Sequence, residues 1–457
     1  MSRLIIYTAY LHSPSLAHTL PKKMYLPFRL AIIGSGLTGT TLVTEFLSKF
    51  PSPSPERIAI DVYEQGRGPG GRTASRVVNF PAEAEADVDR DADGEGREDV
   101  YDVMVNHGAQ FFRCDTDVGR GFLGKFIKDG TLVEWKPVNR VVGFGGSSGE
   151  HANANANANA NANSNSNFFG FPSWGPFYIP PTGVMSSFVK SLSSSWPSDV
   201  VRYHGSTKVT SLTRDADEFI LRYRQRGTED VQTKKYDAVV ITDGTATTGP
   251  GGIDGLPLSF KESVKERIEN AGVKPIFAAI LRLDDDNNTM VDTMTFNHPS
   301  SIWFARRYSQ GVWVILSTIA FGSDEMSRNP MVGKDGSFVK QDKERLRAGP
   351  GMALAREFLE RAGIDEGKLL EVECQRWGRG VTIGAGVVDD VVDGGGRKKG
   401  PGGEFVKYDE GMLFQSGDMV SDYEKGGAEG AIISAVRTAR AIADIFDDTV
   451  DKSGEEL

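Results

Sequence analysis

At 457 residues the chain exceeds one ordinary domain and suits about two or three. Its net charge of −10, with no basic stripe, argues against nucleic acid as a partner, and no apolar run reaches the ~18 residues of a membrane span. Two cysteines, Cys114 and Cys374, allow one disulfide but no disulfide framework, which fits a reducing compartment.

No C-x-x-C motif or His/Cys cluster suggests a metal site. The apolar fraction of 39% is low because polar inserts dilute segments rich enough to build cores. Much of the acid sits between Glu83 and Asp99 and in the tail from Asp447, and both read as solvated loops. Residues 1–28 carry Arg3, Lys22 and Lys23 but no acid. That composition suits a transit peptide, or alternatively an unstructured extension with Met24 as another start. The expected compartment is the cytoplasm, or an organelle if the segment is a leader.

In chain order, Leu30 to Ile33 is a short apolar run, the pattern of a buried parallel strand. Gly34, Gly36 and Gly39 follow in the spacing G-x-G-x-x-G, with Leu37 and Thr38 between them. Leu42, Val43, Phe46 and Leu47 then recur at helical spacing. Strand, glycine turn and helix together are what a dinucleotide pyrophosphate requires. Gly34 permits the turn, Gly36 lets phosphate approach the backbone, and Gly39 lets the helix pack on its strand. The free N–H groups of the helix start face the anion. After a proline loop, Arg57 to Tyr63 reads as a second strand ending at Glu64, a carboxylate placed to accept from an adenosine ribose. Gln65 to Ser75, QGRGPGGRTAS, offers a second backbone cradle at Gly70 and Gly71, with Arg72 and Thr73 beside it.

At this point the sequence resembles the monoamine-oxidase-type flavoproteins. EQGRGPGGRTAS is similar to their E-x-x-x-x-x-GGR segment, which implies FAD rather than NAD, with the diphosphate on Gly70, Gly71 and Arg72. HGAQFF, at His107 to Phe112, resembles the segment that lies along the flavin in that family. Gly108, Ala109 and Gln110 are the matched positions, Phe111 follows as a pocket residue, and Asn106 replaces the usual acid. GGRT with GAQFF points to the renalase-like branch. His107 is either a proton carrier or simply packed.

Thr131 to Arg140 reads as one strand containing Trp135. Ala152 to Asn167 is an Ala-Asn repeat that cannot bury apolar surface. Phe168 to Tyr178 is strongly aromatic and either roofs a flat ligand, with Trp174 in the wall, or makes a local core. Pro181 to Leu192 loosely resembles the family's P-x-GM helix start. Thr207 to Leu212 is a strand in which the resemblance implies that Val209 meets the adenine. Tyr236 to Thr242 is another buried strand, and a ligand belongs at its carboxyl end. Elements from Ser259 to Ala362 would form a substrate domain. Within QRWGR, the resemblance implies that Trp377 lies near the flavin, while Arg376 is either an anion ligand or a surface residue. At the C-terminal end, SGD and GGAEGA resemble the last FAD segment of the family. That implies Asp418 near the ribityl chain or diphosphate, and Gly430 and Ala431 beside the pyrimidine. No cysteine lies nearby, so a non-covalent flavin is expected.

The expected fold is α/β: a Rossmann-type FAD-binding domain, discontinuous over 29–115, 181–250 and 405–446, with an inserted α+β substrate domain over 116–180 and 251–404. The inserts near 82–99 and 151–167 are expected to be disordered, and 447–457 to form an acidic tail. The expected activity is hydride transfer from an amine or a dihydronicotinamide-like small molecule to flavin N5, with reoxidation by dioxygen. A non-redox binding or escort protein of the same fold, or a flavin-dependent desaturase, is the alternative. Hydride transfer needs no nucleophile, so no catalytic side chain is assigned. The sequence leaves the oligomeric state open.

Overall fold

The computed structural model describes residues 26–50, 52–81, 100–142, 176–284, 291–296, 299–309, 311–334, 337–382, 405–408, 412–421 and 427–455. Both expected disordered inserts lie outside these residues, as does Trp174. The chain opens with β1 (Phe28–Ile33), α1 (Leu37–Leu47) and β2 (Ile58–Tyr63). A hairpin, β3 (Ser75–Pro81) and β4 (Val100–Asn106), precedes α2 (Asp117–Lys128). Short strands β5 (Val133–Trp135), β6 (Asn139–Val142) and β7 (Phe177–Ile179) lead to α3 (Met185–Ser194). Then come β8 (Val201–His204), β9 (Thr207–Asp215), β10 (Glu218–Gln225), β11 (Val231–Tyr236), β12 (Ala238–Ile241), α4 (Gly244–Thr248) and α5 (Leu258–Asn270). The second half holds β13 (Val273–Leu283), β14 (Thr293–Phe296), β15 (Ile302–Ser309), β16 (Val312–Ser317), α6 (Ile319–Arg328), α7 (Lys343–Leu346), α8 (Met352–Ala362) and β17 (Leu369–Thr382). Strands β18 (Val406–Tyr408) and β19 (Leu413–Gln415) and the long helix α9 (Gly427–Glu455) complete it.

One six-stranded sheet runs β18-β19-β12-β1-β2-β8, parallel throughout except for the antiparallel edge strand β18. Its strands are apolar without alternation because both faces are covered. Leu30, Ile32, Ile60 and Val240 pack under α1 and α9, against Val43, Phe46, Ala435 and Ala439. Ala31, Ile33, Val239 and Ile241 face the other way, against α5 and the three-stranded sheet β11-β10-β9.

A second six-stranded sheet runs β17-β13-β16-β15-β14-β6, antiparallel except for β14 and β6. Phe277, Ala279, Trp313 and Ile315 pack one face against α8. Ala278, Ile280, Phe304 and Val314 present the other to the 105–112 segment and the start of α9.

Two expectations are corrected. The single strand read over Thr131 to Arg140 is two, split around Pro137. A proline has no N–H for a ladder, and β5 pairs with β7 while β6 joins the second sheet. The loop expected from Asp447 is instead helix through Glu455.

Candidate functional site

Strands β1 and β12 end side by side, and the loops after them build the site from backbone outward. Gly34 has φ +102, and a Cβ there would stand 2.5 Å from Thr242 Oγ1. A Cβ on Gly39 would overlap the Gly34 carbonyl, so only glycine lets α1 lie this close to β1. Gly36 is the N-cap of α1, and no side chain caps that helix. Leu37 and Thr38 open its first turn, both buried.

A second glycine turn meets the first. Gly70 N–H donates to Ser35 O at 3.1 Å, and Gly36 bridges Gly70. A Cβ on Gly71 would sit 3.4 Å from Gly36 Cα. Thr73 closes this turn, its hydroxyl donating to Gly70 O at 2.6 Å. Glu64 is pinned across both turns. Its Oε2 accepts from Ser35 N at 2.8 Å and Oε1 from Gly66 N at 2.6 Å. Strand β9 starts beside it, with Thr207 N donating to Glu64 O at 2.7 Å. Val209, two residues on, packs with Ile33 and Tyr63.

Arg72 forms a two-pronged ion pair with Asp418, one arm being Nη1 to Oδ2 at 2.8 Å. Thr382 Oγ1 also donates to Asp418 Oδ2, at 2.6 Å. Asp418 is 2% exposed and Arg72 29%. Burial alone would pull the Arg72 pKa down, but the facing carboxylate outweighs it and the net shift is upward. Gly430 lies against Asp418, with only 3.3 Å to spare for a Cβ, and Ala431 is buried behind it.

The 106–111 segment lies on Arg72. Ala109 N donates to Arg72 O at 2.8 Å, and a Cβ on Gly108 would overlap that carbonyl. The second sheet holds the segment from its other side. Trp377 Nε1 donates to His107 O at 2.6 Å and its ring stacks on His107, 5.3 Å between centroids. Tyr308 OH donates to Gln110 Oε1 and Arg306 Nη1 to Gln110 O, each at 2.7 Å. Gln110 Nε2 folds back to Asn106 O and Gly108 O. His107 is 8% exposed and its Nδ1 has no partner. Burial, and then the charge of Arg76, press its pKa down to about 4, so it is neutral at pH 7. Asn106, where the resembled family carries an acid, has a structural use: its Oδ1 accepts from Met185 N at 2.9 Å and so caps α3.

Phe111 packs on Phe177 and Trp135 at 4.6 and 5.9 Å. Arg376 points away from this site, donating to the carbonyls of Asn329 and Val339. Both cysteines are free thiols. Burial pushes Cys374 up to about 12 and Cys114 higher still.

Thus the glycines, Glu64, Arg72, Thr73, Gly108, Ala109, Gln110, Trp377, Asp418 and Gly430 form one continuous set of contacts. Ser35, Thr382, Arg306 and Tyr308 belong to it but carry no motif. The one available signal was alternation in β15, which puts Arg306 on the same face as Phe304 and Tyr308. The residues fit FAD. Two glycine turns and an uncapped helix start offer N–H groups for a diphosphate, and Glu64 offers a fixed carboxylate for a ribose diol.

Open parallel sheets place ligands beyond the carboxyl ends of their strands, where these glycine turns lie. The model of the flavin containing amine oxidoreductase family matches residues 122–443, and the chain belongs to that family. It is an FAD-dependent oxidoreductase, and FAD is its cofactor. No curated protein matches it. Among the described residues no helix is long and apolar enough to cross a membrane, and no group of three or more His, Cys, Asp or Glu could hold a metal ion.

Proposed function

We propose that this chain is an oxidase or dehydrogenase of the renalase-like type. Bound FAD supplies a hydride acceptor for a carbon bearing nitrogen, or for a dihydropyridine, and dioxygen then restores it. The FAD-binding domain is Rossmann-type and assembled from 29–115, 181–250 and 405–446. Residues 116–180 and 251–404 form the inserted α+β substrate domain. The sheet memberships support this division: β1, β2, β8, β12, β18 and β19 share one sheet, and β6 and β13 to β17 the other.

In this reading Gly34, Gly36, Leu37, Thr38, Gly39, Gly70, Gly71 and Thr73 cradle the diphosphate. Glu64 takes the ribose, with Val209 near the adenine. Because Asp418 already neutralises Arg72, the pair fixes the cradle's shape, and the N–H groups carry most of the attraction for phosphate. Gly108, Ala109 and Gln110 line the ring, while the start of α9, with Gly430 and Ala431, favours the negative charge gained on reduction. Phe111 and Trp377 wall the substrate pocket and exclude water. His107 rests neutral at pH 7. No side chain need act as a nucleophile.

The observation that carries this reading is the contact of Arg72 with Asp418, 346 positions apart, against two facing glycine turns. Protein purified yellow should bleach when mixed anaerobically with an amine or a dihydronicotinamide isomer, and release peroxide once air is admitted. Protein that stays colourless after incubation with FAD would favour an escort role. Yellow protein that no amine or dihydronicotinamide bleaches would remove the proposed substrates.

A further inference from the structure

A cavity of about 400 Å³ opens where the start of β9 meets the hairpin of β10 and β11. Lys208, Arg224 and Arg226 line it, with Gln65, Ser206 and Glu229. Ser206 fixes its walls. The Ser206 backbone is left-handed, at φ +53, which a residue with a side chain rarely adopts. Its N–H donates to Gly66 O and its carbonyl accepts from Arg226 N, each at 2.7 Å. One residue thus ties the loop after β2 to the turn after β10.

The charge on these walls is unbalanced. Arg224 stands directly across from Lys208 in the ladder of β9 and β10. Like charges placed opposite each other on neighbouring strands repel. Glu229 offsets little of this, because it is 98% exposed and its Oε2 lies 3.5 Å from Arg224 Nη1. Lys208 is half-buried, and among the described residues neither it nor Arg226 has an ion pair. Three cations facing one carboxylate leave two positive charges on the cavity, in a chain whose net charge is −10.

This cavity is separate from the cradle of the two glycine turns. Val209, read above as the residue near the adenine, packs inward with Ile33 and Tyr63. Successive side chains on a strand point to opposite faces, so Lys208 faces away from that side. A phosphate monoester carries about two negative charges at pH 7, which matches the excess on the walls, whereas a monocarboxylate would cover half of it. Guanidinium forks suit phosphate oxygens, and a cavity of this size also holds the organic part of a small ligand.

We propose that this cavity is a second binding site, which takes a small phosphate monoester while FAD occupies its own cradle. The ester is a mononucleotide or a sugar-type phosphate, and the phosphate is what the three cations recognise. Nothing in this site requires the oxidase reading.

The test titrates the FAD-loaded full chain by calorimetry with adenosine monophosphate, glycerol phosphate and adenosine. A phosphate ester should bind saturably, once per chain. Preference for adenosine monophosphate identifies a nucleotide site, and preference for glycerol phosphate a sugar-type one. Adenosine should bind at least about tenfold more weakly than its monophosphate, since it lacks the group the cations meet. Lys208→Met and Arg226→Met should each lose about tenfold or more in phosphate affinity. Lys265→Met, an exposed change on α5, should lose none. Equal binding of adenosine and its monophosphate overturns the proposal without any variant, as does the failure of both phosphates to bind. So does a well-folded Lys208→Met that binds them normally, or a loss in Lys265→Met as large as in Lys208→Met. Binding that appears only after FAD is stripped assigns the cavity to the cofactor and also overturns the proposal. A chain that holds no FAD would be titrated as purified, the two cavity variants then deciding.

Discussion

Asp418 shows how much one carboxylate can organise. It is buried, takes both arms of Arg72 and accepts from Thr382, so it joins the second glycine turn to β17 of the second sheet. Asp418→Asn keeps the shape but removes the charge that balances Arg72. It should cost about 2 kcal/mol of stability, read from the urea midpoint, and weaken FAD binding. His107 makes a different prediction. Its folded pKa, near 4, lies below the ~6.5 of an unfolded histidine. Between those values the unfolded chain holds the extra proton, so stability is full above about pH 6.5 and is lost as pH falls toward 4. The loss amounts to about 3 kcal/mol at most, and His107→Asn should abolish that slope in pH-dependent denaturation. The contacts among the glycines and Arg72 were legible in the sequence because close approach of two backbone turns demands a local glycine pattern. Arg306 and Tyr308 were not, because their meaning comes from what a distant segment lays over them.

At the scale of elements, apolar runs found the buried strands, since β1, β2 and β12 are covered on both faces. Three features escaped. The edge strand β8 is too short and too polar to read. β17 runs fourteen residues through Gly378 and Gly380, against intrinsic strand preference, because pairing with β13 outweighs it. The acid-rich end of α9 continues as helix because the apolar face before it is already docked on α1. That docking depends on small residues. Ala435 and Ala439 are fully buried in the cluster containing Leu42, Val43 and Phe46 of α1. Ala439→Leu should therefore cost about 1–3 kcal/mol by overpacking, visible as a lower thermal midpoint with the helical signal retained.

At the scale of the whole molecule, segments from both ends of the chain contribute to one site, while the second sheet clamps the 106–111 segment from above. A ligand held by both should stabilise the entire fold. Free FAD at a hundred times its dissociation constant should add about 2.7 kcal/mol, seen as a rise in melting temperature over the stripped protein. The large division into two sheets was readable in outline from the sequence; the clamp between them was not, since it is written in carbonyl acceptors that any residue carries. The place of β19 has a consequence for biosynthesis. It pairs with β12, beside β1, although the chain from 242 to 412 is made in between. Until β19 has emerged and docked, β12 keeps a naked apolar edge, open to wrong partners. The nascent protein's vulnerable interval therefore spans the synthesis of everything between those two partners.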